Sequence, residues 1–344
     1  MSRKKRRKLY CGVDLHYPNG VYHIADESGT CVFHRRLPNI LGIVLKTLEP
    51  FKEDLVSVAI ESTSNWYWLG DGLIAAGYPV VLANPAAMHQ FNGLKNTDDD
   101  SDATFLTTLD RLGILPKGWI CPPDERVPRD MLRRRMLMVD SRTRQALSLQ
   151  SMLMRQTGSG FNRRAIEALE TEELAGLLRH EGLLLVADAQ LKLIAGHDKS
   201  IASLEDYVLS LCKPRPEYAI LTSAPGIGKI LAMVIMMEIG DISRFPSPGH
   251  LSSYVRAVKA TRTSNGKAKG KNNGRNGNKY LSWAFVEAVN HAIRHCAPAR
   301  KWYQKKVAKT LPVVGRKALA SKWSKAVWYM LTEMKPFQVE RVFG

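Results

Sequence analysis

Apolar and polar positions alternate with a period of two at the start of the chain, and later switch to longer periods. Leu9–Leu15 predicts a strand, Pro18-Asn19-Gly20 a turn, and Val21–Ala25 a second strand. Glu27-Ser28-Gly29 turns the chain again before a third strand at Cys31–Arg35. A helical stretch at Asn39–Leu48 precedes an apolar strand at Leu55–Ile60, and Asn65–Ala76 predicts a helix before a strand at Pro79–Ala83. A short helix at Ala86–Phe91 is followed by one that begins in the acidic cluster Asp98–Asp102 and runs through Leu109. Three strands in a meander, then alternating helices and strands, predict a mixed sheet covered by helices.

That order is the ribonuclease-H-like one, and it makes residues 1–127 an α/β domain. From Pro128 to Cys212 the period lengthens. Leu132, Met136, Val139, Ala146, Leu149 and Leu153 form one stripe at three-or-four spacing. Leu191, Ile194, Ile201, Leu204, Val208 and Leu211 form a second. Thr143 and Asp198 interrupt the seams, so residues 128–215 read as an antiparallel coiled coil or a plain helical hairpin, broken at Gly158-Ser159-Gly160. Residues 216–344 predict a mostly α domain. Tyr218–Ser223 leads through a glycine-rich turn into an apolar helix ending at Ile239, and Leu251–Val255 is a further helix. A loop over Lys259–Lys279 follows, with basic-faced helices at Tyr280–His295 and Lys317–Thr332.

Charge narrows the class. The net charge is +18, and residues 251–344 hold 20 Lys/Arg against Glu287, Glu333 and Glu340. The first eight residues add six more basic side chains, which leaves the stretch between them net acidic. Charge concentrated in this way suits a polyanion, because neutralising phosphates releases counterions. No apolar run is long enough to span a bilayer, and the opening MSRKKRRK lacks the apolar stretch of a signal peptide. The expected location is the cytoplasm, at the nucleoid, with no membrane partner. Cys11, Cys31, Cys121, Cys212 and Cys296 lie far apart without a CxxC pair, as expected of reduced, mostly buried thiols.

Four carboxylates stand out. Asp14 lies on the first strand, where aspartate is disfavoured. Glu61 follows the strand Leu55–Ile60, at the end where ligands bind in sheets with parallel strands. Asp99 and Asp102 are three apart at a helix start and project to one side. Converging without a cation they would repel. Two Mg²⁺ ions would relieve that repulsion and activate both the nucleophile and the leaving oxygen at a phosphodiester. Taken singly, each has a plainer role as a turn residue or a helix cap.

Two further features bear on nucleic acid. Pro225-Gly226-Ile227-Gly228-Lys229 has the form of a helix-hairpin-helix turn, in which glycines let backbone approach a phosphate. An ordinary helix–helix turn has the same composition. The Lys259–Lys279 loop offers Arg262, Lys267, Lys269, Lys271, Arg275 and Lys279 to phosphates. It also holds Thr263-Ser264-Asn265-Gly266, a hydroxyl in an electropositive setting, where a serine can form a phosphoserine link to DNA. By composition alone Ser264 is a polar loop residue.

Gly12-Val13-Asp14, Ile60-Glu61-Ser62-Thr63, Asn84-Pro85 and Asp99-Asp100-Ser101-Asp102-Ala103, in that order, resemble the N-terminal half of the bridge-RNA-guided DEDD insertion-sequence transposases, the "one-ten" family. Ser223-Ala224-Pro225-Gly226-Ile227-Gly228, Thr263-Ser264-Asn265-Gly266 and Gly277-Asn278-Lys279-Tyr280-Leu281 resemble that family's C-terminal transposase domain. The resemblance covers nearly the whole chain. It implies that Asp14, Glu61, Asp99 and Asp102 hold Mg²⁺ in a resolvase-like domain and that Ser264 is the nucleophile. It also implies a homo-oligomer, dimer or tetramer, joined through the helical middle and directed to donor and target DNA by a structured guide RNA. The acidic run leaves Asp98 and Asp100 as alternatives to Asp99, and Thr263 stands beside Ser264. The family's Ser-Gly is Ser-Asn-Gly here.

The function expected is an RNA-guided DNA recombinase that cuts and rejoins strands through a serine–DNA intermediate. One rival is a metal-dependent nuclease or Holliday-junction-resolvase-like enzyme in which water attacks. Another is a nucleic-acid-binding protein without catalysis, its carboxylates serving as caps.

Overall fold

The chain divides into two compact units, Met1–Pro123 and Asp124–Gly344. The computed structural model describes residues 7–94, 99–169, 171–258, 261–264, 267–271 and 276–344.

The first unit is built on a five-stranded sheet of order β3-β2-β1-β4-β5. β1 (Leu9–Leu15), β2 (Asn19–Asp26) and β3 (Cys31–Pro38) form the antiparallel meander, while β4 (Leu55–Glu61) runs parallel to β1 and β5 (Val80–Ala83) parallel to β4. Alternation along the central strand sends its side chains to two different layers. Cys11, Val13 and Leu15 pack with Val44 and Leu48 of α1 (Leu41–Leu48) and with Leu69 and Leu73 of α2 (Tyr67–Ala75). On the opposite face Ala59 and Ala83 meet Met88 of α3 (Pro85–Met88) and Phe105, Leu106 and Leu109 of α4 (Asp99–Arg111). Where the chain expects one short helix, Ala86–Phe91, the structure has α3 followed by a 3-10 turn at His89–Leu94.

α4 approaches β1 at Gly12, where an added Cβ would lie 2.2 Å from the Ala103 carbonyl oxygen and 2.6 Å from Thr107 Oγ1. The same threonine is the hydrogen-bond partner of His23 on β2, at 3.0 Å from Nδ1. Burial, and then the neighbouring His34, hold the His23 ring below the ordinary histidine pKa of 6.5.

Among its described residues the second unit is helical apart from one hairpin. α5 (Pro123–Thr157) and α8 (Glu181–Cys212) run antiparallel. Arg135 bonds Glu205 at 2.8 Å, Arg142 bonds Asp198, and Gln190 bonds Ser148 at 2.9 Å, so partner numbers fall along α8 as they rise along α5. Asp198, a break in the apolar seam, is thus matched by a cation. α5 ends before Gly158, whose φ is +70°, and α6 (Arg163–Glu167) and α7 (Thr171–Leu177) close the tip.

The other helices are α9 (Pro216–Thr222), α10 (Lys229–Ile239), α11 (Pro248–Tyr254), α12 (Lys279–His295), α13 (Ala297–Val307), α14 (Pro312–Glu333) and α15 (Val339–Phe343). Every residue of α10 from Leu231 to Ile239 is buried, as befits a helix largely apolar on all sides, and α8, α9 and α12 pack against it. α13 and α15 are not foreseen by the apolar pattern.

The expected loop at Lys259–Lys279 is in part an antiparallel hairpin, β6 (Thr261–Ser264) with β7 (Lys267–Lys271). Its last pair is Ser264 with Lys267, leaving two residues between the strands. Those two are Asn265-Gly266, the sequence pair that most favours a two-residue hairpin connection; their own placement lies outside the described residues. All five cysteines are free, and only Cys31 is exposed. Among the described residues no helix is long and apolar enough to cross a membrane.

Gly12→Ala should cost about 1–3 kcal/mol by forcing α4 off the sheet. Gly42→Ala, where an added Cβ meets nothing within 4 Å, should be near neutral. Urea unfolding of the two variants checks the difference. His23 predicts a pH effect of known sign. Its folded pKa is lowered, so the unfolded chain binds more protons and stability falls as pH drops through 6.5 and below. His23→Gln should flatten that part of a stability-versus-pH curve.

Candidate functional site

The parallel register of β1 and β4 decides where the first two carboxylates stand. Val13 pairs with Ile60, so the next residues, Asp14 and Glu61, come side by side at the carboxyl ends of neighbouring strands. Val13 and Ile60 point into the α1/α2 layer, which turns Asp14 and Glu61 to the face covered by α4. Asp14 is buried, 5% exposed, and Glu61 is half-buried. Asp102 lies one turn before Leu106 on the sheet-facing side of α4 and is half-buried.

Three of the four expected carboxylates are therefore carried by elements that pack together. Asp99 opens α4, but its side chain lies outside the described part, as do those of Asp100 and Ser101, and Asp98 lies outside the described residues altogether. Among the described residues no group of three His, Cys, Asp or Glu side chains is placed to hold a metal ion. Carboxylates turned to one sheltered face repel unless a cation or a proton intervenes.

His16 was not anticipated. Its Nε2 lies 2.7 Å from Asp14 Oδ2, just beyond the end of β1, and about half of its side chain is exposed. The imidazole can orient Asp14 or assist its charge. The available signal was a histidine two residues after a strand aspartate, too common a pattern to single out.

In the second unit the turn glycines have distinct settings. Gly226 has φ +86°, and an added Cβ would lie 2.1 Å from the Ala288 carbonyl oxygen, so this glycine lets α12 pack against the turn. Gly228 is the exposed N-cap of α10 with open space around its Cα, and Lys229 beside it lies 3.5 Å from Asp206.

Ser264 ends β6, with Thr263 paired to Ala268 before it. Arg262 lies on β6, and Lys267, Lys269 and Lys271 on β7; the side chains of all these residues are outside the described part, and Lys259 and Arg275 are outside the described residues. Lys279 opens α12 with its Nζ 5.0 Å from the centre of the Tyr280 ring.

The base of this hairpin segment is clipped shut. The Asn278 backbone N–H donates to the Tyr254 carbonyl at 2.6 Å, and Arg256 Nη2 donates to the Gly277 carbonyl at 2.8 Å. Gly277 has φ +87° and an added Cβ would meet Tyr254 O at 2.4 Å, so only glycine fits. Asn278 accepts from the N–H groups of Tyr280 and Leu281, capping α12, while its Nδ2 donates to Glu238 Oε2 at 2.6 Å.

Glu238 is 3% exposed in the last turn of the apolar helix. It also receives Arg133 in bidentate fashion, Nε to Oε1 at 2.6 Å and Nη2 to Oε2 at 2.7 Å. Burial alone would lower the Arg133 pKa, but the hydrogen bonds and charge of Glu238 hold it above the ordinary value.

Residues 218–304, which hold this turn, hairpin segment and capped helix, match the model of the IS116/IS110/IS902 transposase family. Over this segment the chain is similar to the IS116/IS110/IS902 transposases. A 43.6 kDa protein of insertion element IS110 from Streptomyces coelicolor is 32% identical over 121 residues, 35% of this chain and 29% of that protein. A 44.8 kDa protein of insertion element IS116 from Streptomyces clavuligerus is 25% identical over 51% of this chain and 44% of its own length. The chain thus spans less than half the length of these two relatives. The transposase for insertion sequence element IS1111A from Coxiella burnetii is 22% identical over 98% of this chain and 94% of its own length. The family match lies where the buried Glu238 contact anchors α12.

Glu238→Ala should therefore lower stability by about 3–5 kcal/mol, since it leaves the Arg133 charge without its partner. In a double-mutant cycle by urea unfolding, adding Arg133→Met should recover a large part of that loss. Full additivity would deny the coupling.

Proposed function

We propose that the protein is an RNA-guided DNA recombinase that moves an insertion sequence. The observation that carries this reading is the placement of Asp14 and Glu61 side by side under α4, in a chain whose residues 218–304 match a transposase family. The strand order β3-β2-β1-β4-β5, with three antiparallel and two parallel strands, supports a ribonuclease-H-like, resolvase-like identity for residues 1–127. Residues 128–215 would be the oligomerisation arm and residues 216–344 the basic domain that grips nucleic acid.

Hard oxygen donors suit Mg²⁺, and a buried aspartate beside a second carboxylate is a setting that a divalent cation relieves. Asp14, Glu61, Asp99 and Asp102 would hold it. The ion would supply charge stabilisation at a scissile phosphate. His16 keeps Asp14 oriented. Ser264 attacks the phosphorus, a serine–phosphate bond forms as the bond to the sugar oxygen breaks, and a sugar hydroxyl later reverses the step. Bond energy is kept in the covalent link, so rejoining needs no nucleotide cofactor. Donor and target DNA are chosen by base pairing with the guide RNA, while the protein reads backbone and shape.

Strand cleavage by the purified protein, with Mg²⁺ and RNA from its element's flank, tests the proposal on labelled donor and target DNA. Asp14→Asn and Glu61→Gln should each lower the cleavage rate by at least about 100-fold, corresponding to several kcal/mol of lost charge stabilisation, with DNA binding retained. Chelation should abolish cleavage, and omission of the RNA should abolish cutting at the specific site. Unchanged cleavage in Asp14→Asn would instead favour a role for these carboxylates as caps. RNA-independent cutting at the same site would remove the guide.

A further inference from the structure

The last two helices enclose a cavity that neither the acidic face nor the hairpin uses. It holds about 330 Å³ and is walled by the final turns of α14 and by residues 335–342. Its size lies at the small end of ligand sites, which run from roughly 300 to 1,000 Å³. Four cations line it, Lys322, Lys325, Lys335 and Arg341.

Two of the four are already engaged. Arg341 makes a bidentate pair with Glu333, at 2.7 and 2.6 Å, and Lys335 lies 3.9 Å from the same carboxylate. Lys322 and Lys325 lack a carboxylate partner among the described residues, Lys322 Nζ lying 5.5 Å from the centre of the Phe343 ring. They stand three residues apart on α14, and among the described residues neither has a carboxylate within 4.0 Å. Two ammonium groups at this spacing repel each other, and an anion between them removes the repulsion.

The other walls suit a flat apolar group. Tyr329 lies one turn beyond Lys325 and is 39% exposed, with the Arg341 guanidinium held 4.7 Å from its ring centre. Met330, Phe337 and Val342 supply apolar surface, and Phe337 is braced by the buried Trp323 at 5.6 Å. An anion site beside an anchored aromatic ring is the arrangement that binds a phosphate with its base.

We propose that this cavity takes one unpaired nucleotide of a nucleic-acid strand, its phosphate between Lys322 and Lys325 and its base against Tyr329. A paired base inside a duplex cannot enter a cavity of this size, so the site distinguishes bulged or looped strands from continuous duplex. The inference rests on the nucleic-acid partner of the function proposed above, but not on its strand chemistry.

Binding is therefore measured on the full chain without divalent metal, using hairpin oligonucleotides that carry a single unpaired, photoreactive 4-thiouridine, in parallel RNA and DNA versions. Cross-links should map to residues 322–342. Lys322→Ala/Lys325→Ala should weaken binding of the bulged probe about tenfold and reduce its salt slope by about 0.7, the value for one single-strand phosphate contact. A fully paired probe should be affected less than twofold, and Lys322→Arg/Lys325→Arg should restore the bulged probe, which separates lost contacts from lost folding. Equal weakening of bulged and paired probes, or cross-links only elsewhere, would overturn the proposal. Displacement of the probe by micromolar adenosine monophosphate would also overturn it, by marking a free-nucleotide site. Strand cleavage is read separately, so failure here and failure of the recombinase reading are distinguishable.

Discussion

The buried carboxylate of Glu238 constrains everything around it in the second unit. From Ile230 to Ile239 α10 is otherwise apolar on every side, and an ionised group buried in its last turn is tolerated only if its oxygens are fully paired. Arg133 from α5 and Asn278 at the start of α12 provide that pairing. The requirement dictates where α12 begins, because Asn278 cannot serve Glu238 and cap the helix from any other position. The start of α12 in turn defines one side of the base of the segment carrying β6, β7 and Ser264. The other side, Tyr254, is hydrogen-bonded to Asn278 directly. A charge buried in a hydrophobic core thereby positions a surface hairpin.

The first unit reaches a comparable result by omitting a side chain. Gly12 lets α4 settle against β1, and that approach brings Asp102 to the face where Asp14 and Glu61 stand side by side. Gly226 and Gly277 do the same for α12 and for the hairpin base. At each of these three positions backbone meets backbone. The candidate carboxylates Asp14, Glu61 and Asp102 are carried by regular elements, which suits groups that must be placed to within fractions of an ångström.

Much of this was legible in the chain. The five strands showed themselves by alternation and turn residues, and the order of Asp14, Glu61 and the Asp98–Asp102 run suggested carboxylates gathered on one sheet. Asp198 interrupts the apolar seam in the sequence, and its pairing with Arg142 leaves no trace in local periodicity. The hairpin at Thr261–Lys271 was hidden by its glycines and lysines, although Asn265-Gly266 is a strong turn signal. α13, with its run of lysines, lacks a broad apolar face and keeps only Ala299 fully buried, so periodicity missed it. The Glu238 contacts join residues 105 and 40 positions apart, and no local pattern could have shown them.

A denaturing gel of the protein incubated with RNA from its element's flank, Mg²⁺ and labelled DNA tests the proposed serine chemistry most directly, with wild type run beside Ser264→Ala. A serine nucleophile predicts a labelled band at the mass of protein joined to DNA, lost in Ser264→Ala and retained in Thr263→Ala. Cleaved DNA with no such band, in equal amount from wild type and Ser264→Ala, would contradict it and make water the attacking group.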